Sequence, residues 1–150
     1  MKVLVQRVSS ASVAVEGKIV GKINNGLLLL VGIATDDREE DLSWVAEKCV
    51  NLRIFEDQND KMNLSLLDVS GELLVISQFT LLADTQRGRR PSYIKAAAPE
   101  KGEAFYIKFL EILKTNYPVK VETGIFGAMM DVQLLNRGPV TIMIESKNNG

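Results

Sequence analysis

Apolar side chains recur at every second position near the start of the chain, at Val3 and Val5 and again at Val13 and Val15, which is the period of a half-buried β-strand. Glu16-Gly17-Lys18 supplies a turn and Ile19 to Ile23 returns, so the stretch reads as a β-hairpin. Asn24-Asn25-Gly26 is a second turn signal. Beyond it, Leu27-Leu28-Leu29-Leu30-Val31-Gly32-Ile33 is a nearly continuous apolar run of strand length, as expected of a strand buried on both faces at the centre of a sheet.

The period then changes. Leu42, Val45, Ala46, Cys49 and Leu52 fall on one helical face behind the N-cap candidates Thr35-Asp36-Asp37, and they predict a helix from about Asp37 to Leu52. Glu56 to Asn63 reads as a polar loop, Ser70-Gly71 as a turn, and Leu73 to Gln78 as a strand. Pro99, followed by Phe105, Phe109, Leu110, Ile112 and Leu113, predicts a second helix over about Glu100 to Asn116, stopped by Pro118. Val119 to Glu122, Met129 to Asn136 and Val140 to Glu145 read as the remaining strands, the last pair joined by a turn at Arg137-Gly138-Pro139. Lys147 to Gly150 reads as a frayed tail. Strands in hairpin-like succession with only two long helices favour an α/β fold of mostly antiparallel or mixed sheets, helices on one side, over a doubly wound parallel one.

A length of 150 residues suits one domain spanning 1–150. The N-terminus lacks the apolar stretch of a signal peptide and no run is long enough to span a membrane, so the expectation is a soluble cytoplasmic protein. Basic and acidic residues, 18 against 19, nearly cancel. Any nucleic acid must therefore be held by a local patch and by shape. The one dense basic cluster, Arg87, Arg89, Arg90 and Lys95, surrounds Gly88 and Pro91 in the loop from Asp84 to Lys95, and suits a solvated loop as well as contacts to phosphates.

The chain has no histidine and one cysteine, Cys49, which sits on the apolar helix face and reads as a buried structural thiol. This removes the commonest side-chain general base and most transition-metal sites, and nothing points to a metal or organic cofactor. An active site built here must rely on backbone groups. Two segments are candidates. In Ser77-Gln78-Phe79-Thr80-Leu81 a hydroxyl follows a strong strand, but a threonine nucleophile needs a base within reach, and Asp84 is merely the nearest carboxylate in the chain. In Asn136-Arg137-Gly138-Pro139-Val140-Thr141 the Gly-Pro pair combines a fixed φ with room for close approach, and the isomer of its peptide bond is open. Gly124, Gly127 and Ala128 offer further low-bulk backbone, and Met129 and Met130 read as core filler.

These two segments resemble those of the D-aminoacyl-tRNA deacylases. The similarity runs along nearly the whole chain, through Met1-Lys2-Val3-Leu4-Val5-Gln6-Arg7-Val8, Ala83-Asp84-Thr85, Gly88, Arg90-Pro91-Ser92, Thr123-Gly124 and Phe126-Gly127-Ala128-Met129. One departure is Arg137, where the family commonly has an acidic residue. The resemblance implies sheets partly rolled into a barrel and a homodimer in which a cis Gly138-Pro139 enters the partner's site and faces Ser77 to Leu81, buttressed by Arg7. It implies hydrolysis of the ester between a D-amino acid and the terminal adenosine of tRNA, with Ser77, Gln78, Phe79 and Thr80 at the catalytic centre. It places Gly138, Pro139, Arg7, Ala128 and Met129 around the substrate and Arg87, Arg89, Arg90 and Lys95 on the tRNA. A filter that rejects L-residues by steric clash should admit glycine, so glycyl-tRNA is an expected second substrate. Two other readings compete: a non-catalytic nucleic-acid-binding protein on the same fold, and a homodimeric hydrolase of other small esters.

Overall fold

In the computed structural model, which describes residues 1–146, the opening alternation forms one 14-residue strand, β1 (Lys2–Val15). The tail expected to fray, Lys147 to Gly150, lies outside the described residues. Then follow β2 (Lys18–Ile23), β3 (Gly26–Gly32), α1 (Glu39–Asn51), β4 (Phe55–Glu56), β5 (Met62–Leu64) and β6 (Glu72–Ser77). A short 3-10 turn (Phe79–Leu82), α2 (Pro99–Asn116), β7 (Val121–Thr123) and β8 (Asp131–Glu145) complete the order. The main sheet runs β2-β1-β3-β6-β7, with β8 along the other edge of β1. Among the described residues only β3–β6 and β6–β7 are parallel, so the sheet is mixed, as expected. It rolls until β7 meets β2: the Lys22 N–H donates to Glu122 Oε1 at 3.3 Å across a nearly closed barrel.

β1 serves both faces of this sheet. Val3 and Val5 join Leu27, Leu29, Val31, Leu73 and Val75 in the core beneath the helices. Val8, Ala11 and Val13 instead join Ile23, Leu28, Leu74 and Ile76 in the barrel interior. Strict alternation cannot place Val8 and Ala11 on one face. A β-bulge resolves this, since the pairing steps from Val8 opposite Asn136 to Ser10 opposite Leu135. β3 is buried on both faces, as its unbroken apolar run predicts. Each such side chain contributes about 1.5–3 kcal/mol when fully buried.

α1 starts two residues later than the sequence suggests. Asp37 does not cap it, because its carboxylate accepts from the Met1 ammonium at 2.6 Å and from the Ala34 N–H at 2.7 Å, in a fully buried ion pair. Asp41 reaches back instead and accepts the Arg38 N–H at 2.8 Å. Cys49 is buried among α1's contacts, and burial alone pushes its thiol up to about 12, which leaves it inert as a nucleophile. The expected polar loop at Glu56 to Asn63 holds a small hairpin, β4–β5, because Phe55 and Leu64 alongside it pack into or against the core.

The turn expected at Arg137-Gly138-Pro139 is not a reversal. Both halves of β8 pair antiparallel with the same strand, Asp131 to Asn136 with β1 beyond Val8 and Thr141 to Glu145 with β1 before Arg7. The chain continues in one direction through the segment. Sequence spacing cannot separate these cases, because Gly-Pro interrupts the alternation in both.

Candidate active site

β6 carries its apolar residues through the barrel and ends at Ser77, where the Gln78 N–H donates to Val31 O at 2.7 Å. The chain then folds over the end of β3 into the 3-10 turn. Only glycine permits this approach. A Cβ on Gly32 would stand 2.5 Å from Leu82 Cδ2 and 3.0 Å from Gln78 O. The first N–H groups of a helical turn find no acceptor within it. Among the described residues, those of Phe79 and Thr80 have none elsewhere.

Ser77, Gln78 and Phe79 line a cavity of about 510 Å³. Ile33, Ile76, Phe126, Gly127, Ala128 and Met130 line it as well. The cavity is largely apolar, and Phe79 on its lining carries one of the two backbone donors without an acceptor, Thr80 the other. Thr80 is not part of this lining: its exposed hydroxyl accepts a hydrogen bond from Gln78 Nε2. Asp84 makes no hydrogen bond to it; that carboxylate accepts the Gln86 N–H at 2.9 Å instead. Met129, expected as core filler and as a substrate contact, is 89% exposed and outside the lining. The following residue, Met130, takes the inward position because side chains alternate as the chain enters β8.

The second motif lies far from the first within one chain. Asn136 stands level with Glu72 across β1 and β3, while Ser77 ends β6. Three strand spacings of ~4.8 Å and five residues at ~3.3 Å separate the two along the sheet, on the order of 20 Å. Arg137 to Val140 loops out opposite Arg7, with Arg137, Gly138 and Pro139 exposed and the Gly138-Pro139 bond cis. Its base is held firmly. Buried Arg7 donates from Nε to Arg137 O at 3.1 Å and from Nη1 to Ile54 O and Glu56 Oε2, both at 2.8 Å. Asn136 Nδ2 donates to Val140 O at 3.2 Å. The Arg7 hydrogen bond holds the Glu56 carboxyl below its ordinary range.

The basic loop is pinned beside the cavity. Asp84 and Ser92 exchange backbone hydrogen bonds at 2.8 and 2.9 Å, Thr35 N–H donates to Lys95 O, and Ala97 N–H to Ile33 O. Arg87, Arg89, Arg90 and Lys95 are all exposed on it. Tyr93, which the sequence reading passed over, roots this loop in the site: it lines the cavity and meets Phe79 edge to face, ring centres 5.1 Å apart. An aromatic inside a basic, Gly- and Pro-bearing loop was the available signal. Among the described residues, no Cys, Asp and Glu side chains cluster to hold a metal ion, and no helix is long and apolar enough to cross a membrane.

Comparison with known proteins matches residues 4–145 to the family described as D-Tyr-tRNA(Tyr) deacylase. The chain is 56% identical to the D-aminoacyl-tRNA deacylase of Thermosipho africanus, covering 98% of each chain. It is 57% identical to that of Flavobacterium psychrophilum over 99% of each. Among solved structures, a c-Myc DNA unwinding element binding protein superposes with a TM-score of 0.93 at 41% identity, covering 97% of this chain and 99% of that one. A probable eukaryotic D-amino acid tRNA deacylase shares the fold at a TM-score of 0.84 and 18% identity, over 95% and 97%.

Proposed function

The chain belongs to the D-Tyr-tRNA(Tyr) deacylase family, and from that premise we propose that it hydrolyses the ester of D-aminoacyl-tRNA, releasing the D-amino acid and intact tRNA. The observation that carries the mechanism is the pair of N–H groups without an acceptor at Phe79, which lines the apolar cavity, and at Thr80, the next residue in the chain. In this reading the ester carbonyl oxygen sits against them. Water adds to the carbonyl carbon, charge develops on that oxygen, and one such donor is worth about 2.7–4 kcal/mol in the transition state. The neighbouring ribose hydroxyl relays the water's proton to the departing ribose oxygen as the ester C–O bond breaks. Thr80 serves through its backbone, because its exposed hydroxyl is hydrogen-bonded to Gln78 Nε2 and has no basic partner among the described residues.

Rejection of the L-substrate, which carries the same atoms, takes a wall that clashes with one configuration. A thousandfold preference corresponds to about 4 kcal/mol. Gly138-Pro139 supplies that wall in this reading, held by Arg7 and Asn136 and reaching Ser77 to Leu81 of a second copy, since the distance within one chain is too great. Its carbonyl oxygens hold the substrate's α-ammonium. Glycyl-tRNA, with no side chain to clash, is cleaved as well. Arg87, Arg89, Arg90 and Lys95 contact the acceptor-end phosphates, and the protein works in the cytoplasm as a homodimer.

The test is release of amino acid from matched D-, L- and glycyl-tRNA by the purified protein. Loss of the D- and glycyl-esters with the L-ester spared is expected; equal cleavage of D- and L-esters sinks the steric wall. The likeness to a protein named for DNA binding favours a second reading, a non-catalytic binder on this fold. Cleavage of none of the three esters would select it.

A further inference from the structure

Tyr93 and Phe79 form an edge-to-face pair beside the apolar cavity, and the two residues stay 41% and 53% exposed. The pair stands at the root of a loop that presents four cationic side chains against the single carboxylate of Asp84, in a chain of net charge −1. Backbone bonds at Asp84–Ser92 and at Thr35–Lys95 fix the root on both sides. The ring is thus preorganised, not a flexible tip. An aromatic face next to cations matches single-stranded nucleic acid, whose bases stack while its phosphates pair with arginine.

We propose that Tyr93, backed by Phe79, is a stacking platform for the penultimate nucleotide of the substrate's single-stranded 3′ end, with Arg87, Arg89 and Arg90 on the phosphates leading to it. The proposal rests on the deacylase reading above and adds to it that, with the ester at the Phe79 and Thr80 donors, the terminal nucleoside occupies the adjoining cavity and its neighbour meets Tyr93 on that lining. Stacking tolerates any base, because every base offers a π-face. The platform therefore orients the strand and adds affinity without selecting sequence at that position.

The test varies Tyr93, since Phe79 also supplies a backbone donor to the reaction. Tyr93→Leu keeps apolar bulk and removes the ring; it is expected to raise KM for D-aminoacyl-tRNA about tenfold with kcat little changed, while Tyr93→Phe behaves as wild type. An abasic penultimate nucleotide should cost the wild type the same factor and cost Tyr93→Leu nothing more. Independent effects, or a kcat loss alone, would overturn the proposal. A readout that needs no variant is 2-aminopurine at the penultimate position of uncharged tRNA, whose fluorescence wild-type protein should quench on binding. Binding without quenching overturns the platform and leaves the deacylase reading standing. Failure of the wild type to cleave intact D-aminoacyl-tRNA overturns that reading, and the platform with it.

Discussion

At the scale of single residues, Gly138 is the position where one methyl group decides most. Its φ of +124° is one that side-chain-bearing residues rarely adopt, and a Cβ would come within 2.7 Å of Arg7 Nη2 and 3.0 Å of Val140 Cγ2. Gly138→Ala must displace either the loop or the arginine that holds it. Misplacement of about 1 Å costs on the order of 100-fold in rate, so kcat/KM for D-aminoacyl-tRNA should fall by about that factor, as steady-state kinetics would show. If the exposed loop yields, thermal unfolding should move little; if Arg7 yields, the midpoint should fall as its bonds to Ile54 O and Glu56 are lost. Thr80 lies at the other extreme. Its hydroxyl makes a hydrogen bond on an exposed surface, worth about 0.5–1.5 kcal/mol, so Thr80→Ala should lose less than about tenfold in kcat. Loss of turnover with binding retained would instead make the threonine a covalent nucleophile.

Among the elements, the 3-10 turn sits where it does because β3 ends in a glycine. Without the bare Cα at Gly32, Leu81 and Leu82 could not close over the strand, and Phe79 would not reach the cavity rim. Gly32→Ala forces side chains or turn to shift, an overpacking cost of about 1–3 kcal/mol. The expected result is a lower midpoint in denaturant together with reduced kcat/KM, measured on the same preparation. A fully stable, fully active Gly32→Ala protein would show that the turn does not position the site. β8 makes the complementary point. A strand that bulges and resumes on the same partner holds Gly138-Pro139 rigidly from both sides, which a hairpin tip would not.

For the whole molecule, the consequence is that its two motifs lie on the order of 20 Å apart along one sheet, and function in the proposed manner demands two copies. Mixing chains tests this directly. Gly138→Ala keeps a sound cavity and Gly32→Ala keeps a sound loop, so each is impaired alone. Heterodimers unite the good half of each in one of their two sites. Random reassociation should therefore restore about a quarter of wild-type activity. If mixing restores nothing although heterodimers form, the site is not shared between copies.

Much of this was legible along the chain because burial imposes a period. The unbroken run Leu27 to Val31 announced a strand buried on both faces, and Leu42, Val45, Ala46 and Cys49 announced the helix that covers it. The family, too, was legible, since Ser77 to Leu81 and Asn136 to Thr141 are local strings. What periodicity cannot carry is direction and distance. Whether Gly138-Pro139 reverses the chain or bulges from it depends on which strand accepts the far side, and that is settled by the long-range pairing of β8 with β1. Asp37 left its expected cap for the Met1 ammonium, a partner 36 residues away. Tyr93 gained its meaning only when the turn brought Phe79 against it. The amino-acid order by itself determined the long strands, both helices and most of the core, though not the exposure of Met129 or the β4–β5 hairpin. Tertiary structure alone decided which groups meet, because contacts between distant residues follow from how the sheet rolls.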